Sequence, residues 1–179
     1  MPIGNSQLNN ILARVVTLIG THPLVDTEQV HAGFRDLWDP ATWEQLFWDR
    51  NQDLFSGWMV HRVSSERVEL TRTTSFLEQR PHTIRIAGWM EVDDPQTGQQ
   101  ATSSATWNTI TEDICTLIRE DLWKSTPLNI TNCGGGEPPV VTVDEHRDIP
   151  MSIDGDDLSS TRCHYCEIEF KAIERIVWA

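Results

Sequence analysis

The chain has 179 residues, enough for one domain with a real hydrophobic core and too few for two large ones. Apolar residues make up 39% and charged residues 23%, which excludes an intrinsically disordered chain. The balance of 27 Asp+Glu against 14 Lys+Arg, a net charge of -13, argues against a surface that grips phosphates and so against the ordinary DNA-binding modules.

No apolar stretch approaches the ~20 residues needed to cross a bilayer, and the N-terminus lacks the basic, apolar, small-residue order of a secretory signal. A soluble protein, without membrane partners, is expected to stay where it is made. Four cysteines, at 115, 133, 163 and 166, are too few and too irregular for a disulfide framework and read as reduced thiols.

Along the chain, Ser6 is placed to cap a helix whose apolar face is Leu8, Ile11, Leu12, Val15, Val16 and Ile19. Gly20 stops it, with Pro23 beyond. Residues 26–53 show poor periodicity; Asp39-Pro40 followed by Trp43, Leu46 and Phe47 predicts one or two helical turns inside an irregular, Trp-rich connection. Strands are expected at 57–63 and 68–73, pairing antiparallel around a polar turn at 64–67. After Pro81, alternation of Ile84, Ile86, Gly88, Met90 and Val92 predicts a third strand, closed by the turn formers at 93–98.

Trp107, Ile110, Ile114, Leu117, Ile118 and Leu122 recur at three and four residues and predict a long helix over about 100–123. Its other face, with Asn108, Glu112, Asp113, Arg119 and Glu120, should be wet or meet a partner. Residues 129–133 read as a short strand, Gly134-Gly135-Gly136-Glu137-Pro138-Pro139 as a flexible break, and Val140–Val143 as a second extended run. The last strand, 162–173, alternates, with His164, Cys166, Ile168, Phe170 and Ala172 on one face and Tyr165, Glu167, Glu169 and Lys171 on the other.

That alternation bears on the chemistry. Cys163-His164-Tyr165-Cys166 has half of a zinc-site spacing, but residues three apart on a strand point to opposite faces and there is no second Cys-x-x-Cys. Buried thiols are the favoured reading, and no metal or other cofactor is expected. Asp154, Asp156 and Asp157 lack the closing Glu of an EF-hand and read as a solvated turn. The glycine run is followed by no Lys-Ser or Lys-Thr, no His-Glu-x-x-His spacing occurs among the six histidines, and no Gly-x-Ser-x-Gly elbow is present. No catalytic residues are assigned, and the chain is not read as an enzyme.

Arg62, Arg67, Arg72, Arg80 and Arg85 concentrate positive charge in an otherwise acidic chain. This is either a basic edge that meets an acidic neighbouring copy or a solvated sheet face.

The order of elements resembles the tail terminator proteins of long-tailed bacteriophages, also called tail completion or minor tail proteins. The resemblance rests on an N-terminal amphipathic helix, a hairpin with Trp58 and Arg62, the strand His82–Trp89, an acidic turn, one long helix holding Ile114-Cys115-Thr116-Leu117-Ile118, and then a hairpin ending in an alternating strand. It covers most of the chain as a single domain, 1–179, with residues 34–56 as an insertion and the 127–139 connection looser than the family pattern.

What the resemblance implies is an α+β fold, mostly antiparallel sheet with the two helices packed on one side. It further implies a hexameric ring in the virion, on the head-proximal end of the tail tube, made in the cytoplasm of the host bacterium. Its partners would be further copies of itself, the tail tube protein and a neck or head-completion protein, with DNA passing through unbound. Charge pattern, not family motif, nominates Arg62, Arg67, Arg72 and Arg85 for the subunit interface, and Asp93, Asp94, Asp154, Asp156 and Asp157 for loops facing the lumen or a partner. Two other readings stay open: another neck component, such as a head-closure or adaptor protein, and a small ligand- or metal-binding domain built on 163–166.

Overall fold

A computed structural model describes residues 6–33, 46–49, 54–65, 68–72, 75–92, 100–153 and 157–178. The fold is α+β. Helix α1 spans Leu8–Ile19 and α2 spans Gln100–Leu122. The strands are β1 (Val30–Ala32), β2 (Trp48–Asp49), β3 (Leu54–Ser65), β4 (Val68–Arg72), β5 (Ser75–Glu91), β6 (Cys133–Ile153) and β7 (Asp157–Trp178). They form one seven-stranded sheet with the main order β1-β3-β5-β7-β6, while β2 pairs β3 and β4 pairs β5. Every pairing is antiparallel except that of β1 with β3.

Period-two alternation gives the sheet two different faces. On the first, Trp58, Val60, Ile84, Ile86, Cys166, Ile168, Phe170 and Ala172 pack against both helices. Helix α1 contributes Ile11, Val15, Leu18 and Ile19, all buried, and at about 1.5–3 kcal/mol per buried large aliphatic side chain this docking far outweighs its intrinsic helix propensity. Helix α2 lays Trp107, Ile110, Ile114, Ile118 and Leu122 across the same core. Trp107 stacks between two sheet residues, 5.3 Å from Trp58 and 6.0 Å from His164 by ring centroid. Trp58 fits because it lies over Gly88, its cross-strand partner; a methyl group there would sit 2.6 Å from Cε3 of the Trp58 ring and nearer still to Cζ3.

The second face is apolar at one end, where Phe55, Met59, Ala87, Trp89, Cys163 and Tyr165 receive Phe47 from the Trp-rich connection. His31 Nε2 donates to the Leu46 carbonyl at 3.0 Å and Gln29 Nε2 to that of Trp48 at 3.0 Å, which ties the connection to β1.

Several expectations need correction. Strands β3 and β4 do not pair with each other: both lie along the same side of β5, and the chain reverses between Arg72 and Ser75, which are opposite each other in register. Strand β5 starts at Ser75 and runs through Pro81. A proline is tolerated there because it falls at the junction between the partners Ser65↔His82 and Val68↔Gln79, where one side of the strand lacks a continuous ladder. The short strand expected at 129–133 does not form: Asn129 ends the 3-10 turn Pro127–Asn129, residues 131–132 are a turn, and Cys133 opens β6, to which the glycine run belongs. Gly136 is pressed against β7, with the position of a Cβ only 2.7 Å from the Lys171 carbonyl carbon, so these glycines permit close approach rather than a hinge. Strand β1 and its parallel pairing were not expected. The helix start also differs by one residue: Gln7 is the N-cap, although Ser6 Oγ accepts from the Leu8 N–H at 3.2 Å. Of the helical turns expected near Asp39, only Leu46 and Phe47 are among the described residues, and both are helical.

Candidate assembly surfaces

Of the four arginines nominated for an interface, Arg62 and Arg85 have described side chains, and their environments differ. Arg62 is exposed near the end of β3, and no carboxylate among the described residues pairs with it. Arg85, on the second sheet face, is held within the subunit: Nη1 lies 3.2 Å from Glu167 and Nη2 2.6 Å from Glu169. Its neighbour in register, His61, has its pKa lowered by burial and by the Arg85 charge. Arg72 is opposite Ser75 in the β4–β5 ladder, its side chain lying outside the described set, and Arg67 lies outside the described residues. Arg80 pairs with the buried Glu78. Among the arginines whose side chains are described, Arg80 and Arg85 are paired within the subunit and Arg62 is exposed.

Of the acidic loop candidates, Asp93, Asp94, Asp154 and Asp156 lie outside the described residues, and Asp157 stands opposite Ile153 at the base of the β6–β7 turn. The two strands flanking that turn project past the rest of the sheet. Strand β5 pairs β7 only as far as Glu91↔Cys163, whereas β6 and β7 stay paired out to Ile153↔Asp157.

Strand β6 forms one edge of the sheet. It is 21 residues long, and among the described residues no strand pairs with its outer side. An unguarded edge of this length is a template for association. Pro138 and Pro139 interrupt its donors, and register shifts occur between Cys133 and Val143, devices that discourage simple strand addition. Val140 at 59% and Val141 at 39% exposed are large apolar side chains of this strand left in water, and Trp123, 71% exposed, follows the end of α2, where the Leu122 carbonyl oxygen lies 3.7 Å from the position of a Cβ at Gly135 of the same strand. Glu112, Cys115, Thr116 and Arg119 of α2 face Pro139 and Val141 of β6 across an open groove of ≈ 400 Å³. Glu137, Asp144, Glu145 and Asp148 give the exposed strand acidic character.

This edge was not legible as a site. Trp123 directly follows the periodic residues of α2 and reads as the end of its core face, yet it sits past the last helical residue, one turn beyond Arg119, whose carbonyl accepts from its N–H at 3.2 Å.

Buried polar groups elsewhere serve the fold. Glu174, 1% exposed, accepts from the Gln7 N–H at 2.6 Å and from His82 Nε2 at 3.1 Å. Its carboxylate thereby caps the start of α1 across the sheet, the sign of charge that a helix N-terminus favours. Near the C-terminal end of α2, Asp121 is gripped by Arg14 through two 2.9 Å contacts and by Lys124. The Arg14 hydrogen bonds hold its pKa below the ordinary value, against burial, with Lys124 adding to the effect.

The 163–166 segment is divided by the sheet. Cys163 is buried among Phe47, Trp89 and Tyr165 on the second face. Cys166 belongs to the helix-side core, where Thr111 Oγ1 lies 3.9 Å from its sulfur. Burial pushes both thiols up to about 12, so neither is poised as a thiolate ligand or nucleophile. His164 stacks on Trp107 with Ser103 Oγ 3.1 Å from Nε2, and its cross-strand partner His146 is 4.8 Å away by ring centroid. Among the described residues no group of three or more His, Cys, Asp or Glu is arranged to hold a metal ion, and no helix is long and apolar enough to cross a membrane.

No protein-family model matches the chain, and no curated protein matches it.

Proposed function

We propose that the protein is a structural component of a long-tailed bacteriophage virion, a tail terminator that forms a ring on the head-proximal end of the tail tube. The ring ends tube polymerisation, offers the surface on which the filled head or its neck protein docks, and lets DNA pass. No catalytic step and no cofactor is part of this role.

The observation that carries the reading is the order and layering of elements. An N-terminal helix and one long central helix lie on the same face of a mostly antiparallel sheet that ends in a long hairpin, which is the arrangement the family resemblance implies. The charge of -13 suits a ring that DNA must slide through, because a lumen rich in Lys and Arg would retain phosphates and retard passage. A cyclic ring also needs two different patches on each copy, and the sheet has two different edges.

Tail length tests the proposal. Disabling the reading frame in the genome that encodes it should yield overlong, variable tails without heads. Tails of normal length beside unattached or leaking heads would move the protein to another neck position, such as head closure. Placement on 163–166 of a ligand or metal site draws no support from two cysteines on opposite sheet faces.

A further inference from the structure

We propose that the two edges of the sheet are the two halves of one heterologous interface between copies of this chain. The outer segment 62–65 of β3 on one copy seats against the Glu137–Val141 and Trp123 edge of the next. This inference rests on the ring reading and names the surfaces that would build the ring.

The cross-strand register supports it. Following partners across the sheet, His61 is level with Arg85, Glu169 and Val140, and Ser64 is level with Thr83, Lys171 and Glu137. The stretch of β3 around Arg62 and Ser64 therefore stands at the same height as Glu137–Val140 on the opposite edge. It is also the part of β3 left open: β2 covers Leu54 and Phe55, β1 covers Trp58–Val60, and among the described residues no strand covers 62–65 on that side. A rotation about an axis along the strands, with no rise, brings equal heights together, which is the operation that closes a ring.

Strand direction is compatible. Three successive antiparallel pairings separate β3 from β6, so the two run in opposite directions, and a neighbour's β3 would meet β6 antiparallel.

Side chains on the two edges are complementary. Arg62 is exposed and Val63 is 46% exposed on one edge. On the other, Glu137 is exposed, with one oxygen 3.0 Å from Lys171, on the strand that carries the exposed Val140 and Val141 and whose Gly135 is approached by the end of α2 that precedes Trp123. An isologous contact would place Arg62 against Arg62 or Glu137 against Glu137, which like-charge repulsion opposes. Pro138 and Pro139 limit backbone pairing, so the interface would be held chiefly by side chains, with Trp123 as the aromatic anchor.

The test uses the full chain carrying Ser64→Cys and Val140→Cys, exposed positions in the stretches of matching height on the two edges that leave Arg62 and Glu137 in place, treated with a bis-maleimide crosslinker at high concentration and again on isolated tail tubes. All four native cysteines are buried, so background reaction is low. A ladder of multimers from the double variant, with neither single variant crosslinking, is the expected result. Dimers from either single variant, or no ladder under either condition, would overturn the proposal. In parallel, Trp123→Ala and Arg62→Glu should each reduce assembly at least tenfold without changing the melting temperature, and Glu137→Arg combined with Arg62→Glu should restore it. Unchanged assembly in both single variants would also overturn it. Tail length separates the two levels of the account. A ladder with normal tails on loss of the frame leaves the interface standing and removes the terminator role; overlong tails without a ladder do the reverse.

Discussion

Gly88→Ala is a small change with a large expected consequence. The new methyl group would stand 2.6 and 2.7 Å from Cε3 and Cη2 of Trp58, and nearer still to Cζ3. Trp58 is 1% exposed and stacked at 18° on Trp107, which is itself 2% exposed. The indole thus has no free direction in which to yield. Overpacking a dense core costs about 1–3 kcal/mol, and losing the aromatic pair adds about 0.5–1.5 kcal/mol. The reduced entropy of the unfolded chain returns about 0.4–1 kcal/mol. The net loss is about 2 kcal/mol, which for a chain of this length lowers the melting temperature by about 4–8 °C. Urea unfolding followed by tryptophan fluorescence reads the change directly. The same substitution made beside Trp58→Leu should cost much less, because the smaller side chain vacates the site, and that non-additivity is the specific signature of the contact. A Gly88→Ala protein as stable as the parent would refute the placement of Trp58 over Gly88 and with it the β3–β5 register on which both sheet faces depend.

Two further outcomes follow from buried charge and buried sulfur. Asp121 has a folded pKa below its ordinary value, held there chiefly by Arg14, so its contribution is present above the unfolded pKa and is lost as pH falls through the folded one. Asp121→Asn should therefore lose about 1.5–3 kcal/mol at neutral pH and show a shallower decline in stability below about pH 4, as measured by urea titrations at a series of pH values; parallel declines would contradict the assignment. The four thiols, all buried, with Cys163 and Cys166 pushed up to about 12, should resist an aromatic disulfide reagent in the native protein and react together on unfolding, and rapid native reaction of even one would show that its surroundings are not closed.

The parts of the fold legible in the sequence are those in which one periodicity acts alone. Helix α2 was readable to within a residue because Trp107, Ile110, Ile114, Ile118 and Leu122 all face one core. The faces of β7 were readable because burial alternates from Cys166 to Ala172. Legibility failed where a local signal was overridden by its neighbours. Ser64-Ser65-Glu66-Arg67 has the composition of a turn, but β3 before it and β4 after it both pair with β5, and the partners that face each other across a reversal are Arg72 and Ser75, a stretch with neither Gly, Asn nor Asp to announce it. The Gly134–Pro139 run has the composition of a loop and is instead held as strand by contact with β7. The candidate surface was harder still. Charge spacing singled out Arg85, and only the fold reveals that Glu167 and Glu169 already hold it. The level of Ser64 with Glu137 arises from three ladders in succession, a relation between distant residues that no local pattern carries.

The central claim is that this chain stops a polymer, and the most direct measurement is the distribution of tail lengths by electron microscopy when its reading frame is disabled. The account predicts a broad distribution extending well beyond the normal length, with headless tails, and a return to one sharp length when the intact chain is supplied in trans. Tails of one normal length without the chain would contradict it.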